Sequence, residues 1–247
     1  MPAIPAASLI VYRAADGGAP ELLIVERAAA LAFGGGARVF PGGRVDEDDR
    51  RLAAGADGPE EGAARVAAIR ETLEETGVAI GLAPRPGPAL VEQLRAALAE
   101  GAAFSALLAR HGMRLATERL TPFSRWQPPP GATPRVFDTR FYLAEAAPGT
   151  PARADGGESR TAEWRSAARL LADHAAGRAD LLFPTFCHLH RIARHADFAA
   201  ARADAAAFGP ALIVTGSERI DGTTWLTAPE GLGYPVTRQR LEEVRRS

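Results

Sequence analysis

The run from Pro59 to Gly77, Pro-Glu-Glu-Gly-Ala-Ala-Arg-Val-Ala-Ala-Ile-Arg-Glu-Thr-Leu-Glu-Glu-Thr-Gly, constrains this chain more than any other segment. Proline fits a first helical turn, Glu60 and Glu61 suit the positive end of the helix dipole, and Gly77 is a stop signal, so a helix is predicted between them. Each helical residue advances by about 100°, which places Glu71, Glu74 and Glu75 within an arc of about 100°. Val66, Ile69 and Leu73 form an apolar stripe on roughly the opposite side. Such a helix docks by one face while three carboxylates stand on the other. Three acids this close raise one another's pKa unless a cation neutralises them. A hard divalent ion does so, because Mg²⁺ takes oxygen ligands and keeps waters that phosphate can replace. The alternative is a solvated acidic face on which Arg70 pairs with Glu74 one turn on.

The rest of the composition limits the chemistry. A hydrophobic fraction of 47% over 247 residues is ample for a buried core. The formal charge of -1 gives no overall field for a polyanion, so neither nucleic acid nor an anionic membrane is expected as a partner. All 29 basic residues are arginine; without lysine, Schiff-base chemistry and a lysine-dependent phosphate loop are excluded. Phosphate must be held by arginine, backbone N–H groups or metal. The single cysteine, Cys187, permits no intrachain disulfide and reads as a small buried residue on a helix. No signal-peptide pattern and no apolar run approaching ~20 residues is present, which predicts a cytoplasmic protein.

Strands are predicted at Ser8 to Tyr12 and Glu21 to Glu26, joined by a turn at Asp16-Gly17-Gly18. Residues 44 to 58 read as charged and turn-rich. Two short helices split by Gly101 are expected over 89 to 111, then strands over Arg114 to Trp126 and Val136 to Leu143, separated by the Pro128-Pro129-Pro130-Gly131 turn region. Helices follow at Ser166 to Ala176 and Pro184 to Ala207, with Leu212 to Thr215 and Thr224 to Thr227 as a late hairpin around Asp221-Gly222. This mixture, without a regular βαβ period, predicts an α/β fold with a mixed sheet and helices on its faces.

The segment Arg70-Glu71-Thr72-Leu73-Glu74-Glu75-Thr76-Gly77-Val78 resembles the second half of the Nudix signature, Gly-x5-Glu-x7-Arg-Glu-U-x-Glu-Glu-x-Gly-U, where U is a bulky aliphatic residue. Phe40-Pro41-Gly42-Gly43 resembles the glycine turn that opens it. The chain departs from the pattern in two places. Asp49 stands where the loop glutamate should be, and 20 residues (50 to 69) separate it from Arg70 where the pattern has seven, an insertion of 13.

An interrupted box of this kind is similar to the coenzyme A diphosphatase branch. That branch carries an upstream pattern, Leu-Leu-Thr-x-Arg-Ser/Ala-x3-Arg-x3-Gly-x3-Phe-Pro-Gly-Gly, which residues 23 to 43 follow in spacing. Leu23, Arg27, Ala28, Gly36 and Phe40 to Gly43 match, whereas Ala32 replaces the second arginine. The segments Pro122 to Trp126 and Arg135 to Phe141 also resemble this branch; for Trp126, Phe137 and Phe141 the reading as alternating core residues of strands is favoured over a role in stacking a base.

The resemblance implies a Nudix-type α/β/α sandwich with a mixed sheet and additional helices. It would be one domain over 1–247, with a helical insertion at about 88–112 and a C-terminal helix and hairpin extension at about 184–247. It further implies Mg²⁺ or Mn²⁺ held by Glu71, Glu75, Glu74, the Gly42 carbonyl and Glu158. Catalysis would involve Glu71, Arg70 and Glu74, and the substrate would be bound by Arg27, Arg38 and Gly43. Glu158, in the loop Asp155-Gly156-Gly157-Glu158, reads equally well as one more solvated acid, and which glutamate is the base varies among relatives. The partner expected is a small-molecule diphosphate, best coenzyme A or acyl-coenzyme A, with another dinucleotide or a nucleotide sugar as the alternative; a homodimer is left open. A Nudix-like regulatory protein that binds without turnover is the rival from a different class. The histidines at 188, 190 and 195 read as structural or surface residues.

Overall fold

The structure is a computed structural model that describes residues 3–29, 34–54, 58–129 and 136–244. Its strands are β1 (Ile4–Arg13), β2 (Glu21–Arg27), β3 (Ala37–Val39), β4 (Gly42–Arg44), β5 (Leu82–Ala83), β6 (Arg114–Leu115), β7 (Thr121–Gln127), β8 (Phe137–Ala146), β9 (Ser159–Ser166), β10 (Asp180–Leu181), β11 (Leu212–Val214), β12 (Gly216–Ile220), β13 (Thr223–Thr227) and β14 (Arg238–Arg240). Its helices are α1 (Glu47–Leu52), α2 (Pro59–Thr76), α3 (Pro88–Ala99), α4 (Phe104–Arg110), α5 (Ala167–Ala175), α6 (Phe183–Ile192), α7 (Phe198–Phe208) and α8 (Leu241–Val244).

Nine strands form one mixed sheet in the order β10-β3-β2-β1-β8-β7-β11, with β4 also on β1 and β9 also on β2. The β1 strand runs parallel to β8 along its whole length. It meets β2 only at Tyr12–Leu22 and Arg13–Glu21. Beyond that point the two strands diverge, β1 taking β4 as partner and β2 taking β9 and β3. Because side chains alternate along a strand, Leu9 and Val11 enter one core while Ile10 and Tyr12 enter another. The first core lies under α2, α3 and α4, the second under α5, α6 and α7, giving a helix–sheet–helix sandwich. Val66, Ile69 and Leu73 of α2 are at most 1% exposed, as the stripe predicted. Burial of each such side chain contributes about 1.5–3 kcal/mol.

The helix ends of α2 are those read from the sequence, with Pro59 in the first turn and Gly77 left-handed at φ 70. Four segments depart from expectation. The stretch 44 to 58 holds a helix, α1, whose start is fixed when Asp49 Oδ2 accepts the Asp46 N–H at 2.8 Å. Residues 114 to 126 are not one strand. Arg114 and Leu115 pair with β5, and a 3-10 turn at Thr117–Arg119 intervenes, its carbonyls at Thr117 and Leu120 taken by the Arg65 guanidinium at 2.9 and 3.0 Å. The helix expected over 184 to 207 is two, because Asp197 caps a new start by accepting the Ala200 N–H. Leu212–Val214 leaves the predicted hairpin to pair in parallel with β7, since Ile213 is drawn into the second core, and β12 takes its place opposite β13. The Pro130-Gly131 part of the proline turn, Arg135 and Ala32 lie outside the described residues.

Cys187 is buried on α6, and His188 is fully enclosed among the rings of Phe40, Phe123, Trp126 and Phe141. Among the described residues no helix is long and apolar enough to cross a membrane.

Candidate active site

The glutamate helix α2 packs across β1 and β4, so its acids face the Phe40-Pro41-Gly42-Gly43 turn. That turn is held to β1: Ser8 Oγ donates to the Pro41 carbonyl at 2.9 Å, and Ser8 and Ala7 stand opposite Gly42 and Gly43. Neither glycine leaves room for a side chain. A Cβ at Gly42 (φ +157) would lie 2.3 Å from the Ala7 carbonyl oxygen, and one at Gly43 would lie 2.4 Å from the Glu71 carboxyl carbon. The Gly42 N–H donates to Glu75 Oε2 at 3.1 Å. Glu71 and Glu75 are therefore seated directly against the turn.

Arg70 organises the acids from beneath. Its guanidinium, on a residue 8% exposed, donates from Nε to Asp49 Oδ1 at 3.0 Å and from Nη2 to Asp49 Oδ2 at 2.9 Å. Nη2 also reaches the Arg44 carbonyl at 3.0 Å, and Nη1 reaches Glu71 Oε1 at 2.8 Å. Glu74 Oε2 is 3.6 Å from Nη1, so the one-turn pair considered from the sequence is present but is the longer contact. Asp49 is wholly buried. A bidentate pair of this kind fixes the guanidinium plane, which a lysine could not do.

Burial pushes the Glu71 carboxyl up to about 7 against the pull of Arg70, with Glu74 and Asp49 adding to the rise. Burial and the neighbouring Glu71 hold Glu75 well above the usual carboxylate range, while the Gly42 N–H and Arg27 oppose them. Glu74 is raised chiefly by burial, with Glu158 and Asp155 adding to it against Arg70. The 155–158 loop thus presents its acids toward Glu74 and Glu75. Asp155 shapes that loop by accepting the Glu158 and Ser159 N–H groups at 3.0 and 2.9 Å.

The fit to a divalent ion rests on this donor chemistry: a buried carboxylate, Glu75, raised in part by the part-buried Glu71 next to it, beside further acids. Among the described residues no three such side chains already stand close enough together to hold a metal.

The substrate candidates separate. Arg27 lies close enough to Glu75 to lower its pKa, and its buried Nε has no hydrogen-bond partner among the described residues. Arg38 is paired with Glu163 at 3.3 Å and with Asp173 of α5 at 3.8 Å. A cavity of about 630 Å³ between α7 and β7 has Arg202 as its one charged lining residue and contains none of these acids. Its size does not outweigh the chemistry of the α2 face.

Sequence reasoning missed Asp49 as a partner of Arg70. The available signal was its position, since it replaces the loop glutamate of the pattern. Arg95, which reaches the carbonyls at the end of α2, had no signal, because it comes from α3, outside the signature pattern.

No family model and no curated protein matches the chain. Solved structures do. A Nudix hydrolase from Alicyclobacillus acidocaldarius is 28% identical, covering 82% of this chain and 96% of its own, at a TM-score of 0.71. The Nudix domain of NrtR from Shewanella oneidensis, solved with ADP-ribose, is 13% identical over 76% of this chain and 85% of its own, at 0.46. A MutT Nudix hydrolase from Burkholderia pseudomallei is 19% identical over 75% of this chain and 95% of its own, at 0.41. The last two carry no weight at such scores. The first does: in its mixed sheet and its glutamate helix set against a glycine turn, the chain is similar in fold to a Nudix hydrolase.

Proposed function

We propose that the protein is a metal-dependent diphosphatase that hydrolyses the phosphoanhydride of a nucleoside diphosphate derivative. The observation that carries this reading is the pair of carboxylates, the part-buried Glu71 and the buried Glu75, seated against the Gly42-Gly43 turn. Glu71, Glu75 and the Gly42 carbonyl, completed by Glu74 and Glu158, would hold Mg²⁺ or Mn²⁺. When bound, such an ion offsets the negative charge of the diphosphate and makes a water acidic enough to attack phosphorus. Glu71 accepts the proton of that water at its carboxylate. Arg70 holds Glu71 by its Oε1. Arg27, with its unpartnered Nε beside Glu75, stabilises charge on the phosphate oxygens, and the bare backbone of Gly43 lets the substrate approach Glu71. Arg38, on the β3 strand, supplies a second guanidinium once a phosphate competes with Glu163.

The substrate we assign is coenzyme A or an acyl-coenzyme A. Support comes from the spacing of residues 23 to 43 and the retained Arg27. The test is product release from coenzyme A, dinucleotides and nucleotide sugars with Mg²⁺ or Mn²⁺ present, comparing the parent with Glu71→Gln. Turnover of coenzyme A, with kcat lowered about 10²- to 10⁴-fold in Glu71→Gln and the fold retained, is the expected outcome. Full activity in Glu71→Gln refutes the base assignment. Turnover of a nucleotide sugar instead moves the substrate, and tight binding without turnover of any member favours the regulatory reading.

A further inference from the structure

Helix α3 carries one arginine whose hydrogen bonds all end on parts of the site, while its Nη1 lies 3.7 Å from Glu92 one turn back. Arg95 is 7% exposed. Its Nε donates to the Glu74 carbonyl at 3.1 Å, and its Nη2 donates to the Glu75 carbonyl at 3.5 Å and to the Arg153 carbonyl at 2.8 Å. The first two carbonyls belong to the last turn of α2, where a helix leaves its acceptors without intrahelical donors and carries a partial negative charge. The third opens the segment that leads through Asp155 to Glu158. A reciprocal bond runs from the Arg153 N–H to the Thr76 carbonyl at 2.9 Å. On the outer side, the Arg153 guanidinium pairs with Glu92 of α3. One guanidinium therefore ties together three pieces of chain that are far apart in sequence: the insertion, the C-terminal end of the glutamate helix and the acidic loop.

Resting on the metal-dependent reading above, we propose that Arg95 is a positioning residue that fixes the spacing between the glutamates of α2 and Glu158, and thereby sets the affinity for the divalent cation. It touches neither substrate nor reacting atoms. The geometry needs a planar fork, because Nε and Nη2 address different carbonyls on different segments, and a single ammonium cannot hold all three at these distances. The insertion helices then have a definite role: α3 is anchored in the first core by Leu94 and Leu98, and that anchoring is transmitted to the loop through Arg95.

The experiment uses the full chain and the variants Arg95→Lys, Arg95→Met and Arg153→Gln, the last removing the exposed outer pair with Glu92 while leaving the Arg153 backbone in place. Mn²⁺ binding is measured by electron paramagnetic resonance, hydrogen exchange is followed at the 153–159 amides, and kcat is taken at saturating metal. Expected is a tenfold or greater weakening of Mn²⁺ binding in both Arg95 variants. Exchange at the Glu158 and Ser159 N–H groups should rise at least tenfold while α3 stays protected, kcat at saturating Mn²⁺ should stay within threefold of the parent, and Arg153→Gln should behave as the parent. Mn²⁺ binding within twofold of the parent, or loop exchange unchanged, would overturn the proposal even if thermal stability fell. Loss of kcat with normal Mn²⁺ binding overturns it too. A parent chain that binds no Mn²⁺ refutes the metal-dependent reading itself, and is distinguished by the parent measurement alone; the exchange data then still decide whether Arg95 holds the loop.

Discussion

Asp49→Ala is the perturbation whose consequence follows most directly from the geometry. Asp49 is wholly buried, and its two oxygens accept two of the four hydrogen bonds made by the Arg70 guanidinium. Removing it leaves a buried guanidinium facing an empty space too small and too enclosed for bulk water. Breaking a buried pair from one side costs about 3–5 kcal/mol. The loss of the Asp46 N–H acceptor at the start of α1 costs about 1 kcal/mol more. The expected total is about 4–6 kcal/mol, a fall in Tm on the order of 10 °C or more for a domain of this size. Asp49→Asn should recover little, because its amide nitrogen would place a donor against one of the Arg70 donors. The assay is urea unfolding of the parent, Asp49→Ala, Arg70→Met and the double variant. Arg70→Met alone strands the aspartate, so the double variant should lose less than the sum of the singles, by about 2 kcal/mol or more. A loss below about 1 kcal/mol in Asp49→Ala, with an unchanged denaturant slope, or additive singles, would refute the bidentate pair as the support of the site. A second consequence is electrostatic: Asp49 helps to hold the Glu71 carboxyl up, so its removal should lower the Glu71 pKa.

Gly43→Ala should fold with little loss of stability yet lower kcat about 10²-fold, since its Cβ would occupy the position of the Glu71 carboxylate; near-normal turnover would mean that Glu71 tolerates displacement. The buried His188 ring gives the protein an acid limit. Its folded pKa is pushed down to about 3 by burial, below the ordinary value of 6.5, so the unfolded state binds the proton first and stability falls as pH drops from 6.5 toward 3. At pH 5 this costs about 2 kcal/mol relative to pH 7.5; urea melts at the two pH values, repeated with His188→Gln, test it, because the variant should lose that part of the pH dependence.

The sequence alone determined the features that depend on local pattern. Pro59, the stripe Val66, Ile69, Leu73 and Gly77 fix a helix, its docked face and its end, because capping and periodicity act within a few residues. The same periodicity sets three glutamates on one side. Tertiary structure decided what those acids face. The seating of Glu71 on Gly43, the pairing of Asp49 with Arg70 and the reach of Arg95 from the insertion each join residues that are 20 or more positions apart. No local propensity encodes such contacts. The split of the helix at Asp197 had a local signal in the capping residue, but the departure of Leu212–Val214 from its hairpin did not. Strand partners are chosen by where a side chain such as Ile213 can be buried, and that depends on the rest of the core. Arg70, which a single helix face would pair with Glu74, keeps that contact at 3.6 Å but is held more closely by Asp49 at 2.9 and 3.0 Å. A buried guanidinium takes the partner that satisfies two donors in one plane, and only the folded chain brings that carboxylate beneath it.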